Sequence, residues 1–289
     1  MTLVYGFRKL AEQDIPEIRT RARVYEHAAT GARLLSLTNQ DENKVFGVTF
    51  RTPPRDSTGV AHILEHSVLC GSRKYPVKEP FVELLKGSLQ TFLNALTFPD
   101  KTSYPVASTN TQDFYNLIDV YLDAVFHPRL SENTLRQEGW RFDLKKAADP
   151  LQFKGVVYNE MKGAYSSPDN QLYELSQHAL FPDVTYGLDS GGDPEKIPDL
   201  TFEDFMAFHK AHYNPSNAFA YFYGDDDPDE RLRILDECFS EFERARPGHL
   251  IGLQKPFREP VRVEKPYAAG PGDQKSMFTL NFCLPESAD

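Results

Sequence analysis

The chain has 289 residues, with 32 Lys plus Arg against 42 Asp plus Glu and a formal net charge of -10. That acidity argues against a nucleic-acid surface, and no apolar run approaches the ~20 residues that cross a bilayer as a helix, so neither nucleic acid nor a membrane is an expected partner. The three cysteines, Cys70, Cys238 and Cys283, are odd in number and far apart, which excludes a disulfide framework and suits free thiols in a reducing compartment.

In chain order, residues 1–17 mix Glu12, Asp14 and Glu17 with Arg8 and Lys9 and lack a signal-peptide apolar core, so the expected location is cytoplasmic, as in a bacterial protein. Residues 32–38 and 45–52 read as two strands joined by the polar turn at 39–43, a hairpin in which Val45, Gly47 and Thr49 alternate with Phe46, Val48 and Phe50. The stretch 53–59 breaks the sheet, and Ser57 or Thr58 is placed to cap a helix that runs to about Leu69 and stops at Gly71. Pro80 opens a second helix with Phe81, Leu84 and Leu85 on one face. Residues 103–108 read as a strand, and Pro105 assigns it to a sheet edge, where an extended peptide could pair.

From residue 111 to 126 the apolar positions Phe114, Leu117, Ile118, Tyr121, Leu122 and Val125 follow helical spacing until Pro128. Leu135, Trp140, Phe142 and Leu144 begin another packed element. Helix formers surround Glu160 at 155–164, and 171–180 reads as a helix with His178 on its surface. Thr201 to Asp204 resembles a capping box for a helix through His212. His209 and His212, three apart on it, are either a second metal pair or a solvated helix end. Residues 218–223 are β-prone, and the acidic run 224–230 reads as a solvated loop leading into a helix from about 228 to 242, without the ligand spacing of a calcium loop. Pro and Gly crowd 244–274, and 275–284 alternates like a strand. The order predicts an α+β fold, an antiparallel or mixed sheet packed against helices.

The chemistry sits in His62-Ile63-Leu64-Glu65-His66. Residues four apart on a helix lie one turn above each other, so His62 and His66 can reach one metal ion, with Glu65 beside them close enough to act on a water there. The bland alternative is two helix-face histidines that touch only solvent or core. A catalytic zinc takes three protein ligands and keeps one position open, so a third donor must come from elsewhere, and Glu160 is the best candidate. Cys70 lies close by in sequence and reads as a small buried hydrophobe rather than a fourth ligand.

Several segments carry a wider resemblance. Residues 59–72 around the motif, Thr91-Phe92-Leu93-Asn94-Ala95-Leu96-Thr97, Gln137-Glu138-Gly139-Trp140-Arg141, Asn159-Glu160-Met161-Lys162-Gly163 and Ser190-Gly191-Gly192-Asp193-Pro194 resemble, in order and spacing, the inverted-motif zinc metallopeptidases of the pitrilysin or M16 family, in particular its presequence-protease branch. The resemblance implies a LuxS/MPP-like metallopeptidase domain that hydrolyses unstructured peptides. It implies one zinc per chain on His62, His66 and Glu160, with Glu65 as general base and with Asn94 and Ala95 contacting the substrate backbone. The family builds its enzyme from four related domains in two halves around a chamber. The chain is therefore expected to be an N-terminal fragment: a catalytic domain at 1–245, a linker at 246–274 and the first strand of a truncated second domain at 275–289. Its expected partners are peptides, the remaining domains and a second copy of the fragment. The rival readings are a non-catalytic M16 homologue acting as scaffold or processing partner, and a structural zinc module, which would normally be closed by a fourth Cys or His.

Overall fold

The computed structural model describes residues 3–78, 80–246, 251–268, 270, 272 and 276–284. Ahead of the first expected strand the chain already forms a hairpin, β1 (Phe7–Ile15) paired antiparallel with β2 (Thr20–His27) around a tight turn at Pro16–Ile18. Its strands escape a pattern reading because β1 is exposed along nearly its whole length. Charge pairs such as Arg8–Glu26, Arg21–Asp14 and Arg23–Glu12 lace the ladder in place of an apolar face.

The next two strands, β3 (Arg33–Thr38) and β4 (Lys44–Arg51), do not make the expected hairpin. A strand from far along the chain, β10 (Ala218–Gly224), lies between them, parallel to β3 and antiparallel to β4. The reason is apolar burial: the AFAYFYG sequence of β10 offers hydrophobic side chains to both faces and is best satisfied inside the sheet. Phe222 packs on Phe46 with ring centroids 4.8 Å apart, while the Tyr221 ring crosses Gly47 so closely that a Cβ there would meet it at 2.3 Å. Phe46, Val48 and Phe50 are fully buried in the core, whereas Val45 and Thr49 are half-buried, as the alternation predicts.

The sheet order is β1-β2-β3-β10-β4-β7-β5, with β6 also on β7. Here β5 is Gln90–Leu93, β6 is Leu96–Thr97 and β7 is Lys101–Ser108. The placement of Pro105 at an edge is therefore corrected: β7 is interior, flanked by β4 on one side and by β5 and β6 on the other. Proline is tolerated because it sits where β5 has ended and β6 has not begun. Its carbonyl accepts from Asn94 N, and no ladder bond needs its missing N–H.

The helices are α1 (Val60–Val68), α2 (Pro80–Gly87), α3 (Thr111–Phe126), α4 (Glu132–Glu138), α5 (Val156–Ala164), α6 (Pro168–Leu180), α7 (Phe202–His212) and α8 (Pro228–Phe239), with a small hairpin of β8 (Arg141–Asp143) and β9 (Gln152–Lys154) after α4. Asn110 and Ser131 cap α3 and α4, and Thr201 caps α7 by accepting from Asp204 N, as expected of its box. α1 is different. Neither Ser57 nor Thr58 caps it; Thr58 Oγ1 donates to Asp56, and the helix starts from Gly59 at φ 70. Only glycine fits there, since a Cβ would lie 2.7 Å from the Gly191 carbonyl oxygen. Phe142 and Leu144, expected in a packed element, are more than half exposed on and beside the β8–β9 hairpin. His178 is half-buried rather than on the surface, with its Nε2 out of contact with solvent.

The acidic run is not wholly a solvated loop either. Asp227 caps α8, Asp225 pairs with Lys44, and Asp226 and Arg231 form an ion pair with neither side chain exposed, joined by bonds of 2.5 and 2.9 Å. Arg231 also donates to Ser36 Oγ and to the carbonyls of Leu37 and Gly224. Asp226→Ala strands a buried guanidinium, so it is expected to cost about 3–5 kcal/mol in urea unfolding. A loss under about 1 kcal/mol would mean that the backbone acceptors suffice.

Residues 247–250, 269, 271, 273–275 and 285–289, which include parts of the expected linker and final strand, lie outside the described residues. Residues 276–284 form no ladder, and Phe278, Leu280, Phe282 and Leu284 are 71–85% exposed. Alternation alone does not make a strand; a neighbouring backbone must accept its hydrogen bonds.

Candidate metal centre

Helix α1 packs against α4, and α4 against α5, which brings two distant parts of the sequence onto one spot. α5 starts hard against the end of α4: a Cβ on Gly155 would come within 1.9 Å of the Gly139 carbonyl oxygen. Val157 anchors α5 in the core, leaving Glu160 on the side turned to α1. His62 Nε2 lies 3.7 Å from Glu160 Oε1, and His66 Nε2 lies 3.7 Å from Glu160 Oε2. Among the described residues, His62, His66 and Glu160 form the one group of three or more donors within 4.8 Å of one another. Donors bound at 2.0–2.1 Å to a common tetrahedral ion stand ~3.4 Å apart, so small side-chain adjustments would close the set on zinc.

The two imidazoles are oriented from behind. His62 Nδ1–H donates to the Gly191 carbonyl at 3.0 Å, and His66 Nδ1 lies 3.4 Å from Glu138 Oε2. Both contacts favour the proton on Nδ1 and leave Nε2 with its lone pair toward Glu160. Burial alone would weaken the basicity of His66. The hydrogen bond that His66 donates to Glu138 and the charges of Glu65, Glu160 and Glu138 outweigh it and raise the His66 pKa. Glu138 shows the complement: burial would raise its pKa, but contacts from His66 and Gln137 hold it below the usual carboxylate range.

Glu65 is buried next to this group yet outside it, and its Oε2 accepts from Thr97 Oγ1 at 2.6 Å. Asn94 and Ala95 bridge β5 and β6, where Asn94 O accepts from Tyr121 Oη and Asn94 N donates to Pro105 O. With Glu65 and His66 they line a cavity of about 410 Å³ whose apolar wall is Leu69, Phe81, Val82 and Val156. Cys70 also lines it, with its Sγ toward His66 O and outside the donor group. Glu138, Gly191 and Thr97 carry no motif signal of their own; they merely fall inside segments that match the family.

The second histidine pair is neither a metal site nor a solvated helix end. His212 is buried against Phe208, and His209 is stacked on Tyr213 with Nε2 on the Val125 carbonyl. Burial pushes the His209 pKa down to about 4, so it stays neutral in the core.

Two sequence models of one family match in succession, "Insulinase (Peptidase family M16)" over residues 50–152 and "Peptidase M16 inactive domain" over residues 199–287, together well over half of the chain. The chain belongs to the M16 peptidase family. The first match holds His62, Glu65 and His66, and the second runs across the expected boundary at 245. Among similar proteins, "Presequence protease 1, chloroplastic/mitochondrial" of Arabidopsis thaliana is 58% identical over 97% of this chain, and "Protein HypA" of Clostridium perfringens is 48% identical over 98%. The chain spans only 27% and 30% of those two proteins. The fold also matches crystalline pitrilysin, with a TM-score of 0.66 at 18% identity over 85% of this chain and 26% of that one. The cytoplasmic expectation is corrected by these comparisons, because similar presequence proteases are named chloroplastic or mitochondrial. Free thiols suit any reducing compartment, and residues 1–17 without a signal-peptide apolar core speak only to secretion, so neither separates an organelle interior from the cytosol.

Proposed function

We propose that the chain is the catalytic domain of a zinc-dependent endopeptidase that degrades unstructured peptides, in the manner named for its presequence-protease relatives. The observation that carries this is the convergence of His62, His66 and Glu160 with Glu65 adjacent but outside the donor set. Two imidazoles and a carboxylate suit zinc in an open site, and a buried fourth Cys or His that would close a structural site is missing from the group among the described residues. When bound, zinc would supply a Lewis acid that polarises a peptide carbonyl and makes water acidic enough to attack near neutral pH.

The chain's own groups do the rest. Glu65 accepts the proton of the attacking water and passes it to the leaving amine, a role worth ~10²–10⁴-fold in rate. Asn94 and Ala95, at the break between the edge strands, contact the backbone of the extended peptide and align it. The apolar wall of the adjoining cavity receives a hydrophobic side chain next to the scissile bond. Four chemically apt residues at one spot favour this reading over a non-catalytic M16 scaffold.

We also propose the division into a domain at 1–245, a linker at 246–274 and the start of a second domain at 275–289. Since the chain spans under a third of the relatives above, closure around a peptide is taken to need the rest of a longer polypeptide. Residues 1–289 alone are expected to hold about one zinc and to show little or no turnover of a fluorogenic peptide. Turnover within about tenfold of a longer polypeptide carrying this chain would show that the remaining length is dispensable. Stoichiometric zinc with no hydrolysis by either protein would favour the scaffold.

A further inference from the structure

We propose that Thr97 is a positioning residue for Glu65, an inference that rests on the peptidase reading above. Glu65 is 8% exposed and sits on α1; Thr97 sits on β6 and donates its hydroxyl to Glu65 Oε2 at 2.6 Å. A glutamate has three side-chain torsions, and burial alone does not select among them. A hydroxyl on a stiff, β-branched side chain does, provided that its backbone is held.

The backbone of Thr97 is held. It pairs with Thr102 of β7, whose own hydroxyl is locked to Thr52 at 2.7 Å in a buried bond. With Oε2 engaged by Thr97, Oε1 is the oxygen on which a water proton would land. The same short stretch carries Asn94 and Ala95, the groups assigned to align the peptide, and its other end is tied by Tyr121 Oη to Asn94 O. One hydrogen bond thus links the proton acceptor to the strand that sets peptide register. Base and scissile bond keep their relative position because both are referred to β6.

Thr97→Val replaces the hydroxyl by a methyl while keeping the β-branched shape, whereas Thr97→Ser keeps the hydroxyl. Both are made in a longer polypeptide carrying this chain, and kcat, KM, zinc content and thermal midpoint are measured. Thr97→Val is expected to lower kcat by about tenfold or more with KM within about twofold, as for an interaction realised in the transition state. Zinc content should remain at the wild-type level, and Thr97→Ser should restore kcat to within about threefold. An unchanged kcat in Thr97→Val overturns the inference. So does a loss shared equally by Thr97→Ser, or a loss that tracks missing zinc or a collapsed thermal midpoint. A zinc-loaded wild type without turnover instead sinks the peptidase reading and takes this inference with it.

Discussion

Replacing His66 by alanine is expected to remove stoichiometric zinc, from about one ion per chain to under about a tenth after dialysis against a mild chelator. His62 and Glu160 would remain, but two donors leave the ion half-hydrated and exchangeable, and the exposed Glu160 adds little rigidity of its own. His66 is only part-buried, so the variant should fold, which a thermal melt of the metal-free proteins would check. Zinc content by elemental analysis decides the matter. Wild-type occupancy in the variant would remove His66 from the ligand set and with it the proposed centre.

Glu65→Gln should separate base from ligand. The amide keeps the size of the side chain and can still accept from Thr97, but it cannot take a proton from water. Zinc should stay near wild-type occupancy, while peptide hydrolysis by a longer polypeptide carrying the chain falls by ~10²–10⁴-fold. If zinc disappears together with activity, Glu65 is a ligand; if turnover is unaffected, some other group is the base. The pairing of the two variants is informative because His66 and Glu65 are neighbours on one helical turn and would lose function together if the effect were merely local damage.

Part of the site was legible because it is local. Helical geometry alone places His62 and His66 one turn apart with Glu65 beside them, and helix formers around Glu160 suffice to put that carboxylate on a helix. Asn94 and Ala95 came from family resemblance, and the structure sets them in the same cavity as Glu65 and His66. What remained hidden has long sequence separations. Gly191 is 129 residues from the His62 that it orients, and Thr97 is 32 residues from Glu65. No periodicity records such contacts.

The errors have the same origin. A polar turn between two strands normally means a hairpin, yet β10 is apolar enough on both sides to displace that pairing and enter the sheet between them. Proline in β7 looked like an edge marker, and only the staggered ends of β5 and β6 make it an interior residue. His209 and His212 have ligand-like spacing, but burial against aromatic rings makes them core residues. By itself the sequence determined the types of β3, β4, β7, β10 and most helices, the α+β class and the helical triad of His62, Glu65 and His66, because propensity, capping and i,i+4 geometry act within a few residues. Only the tertiary structure decided strand neighbours, the orientation of each imidazole and the meeting of Glu160 with the histidines, because those depend on which distant surfaces bury most apolar area while satisfying every buried polar group.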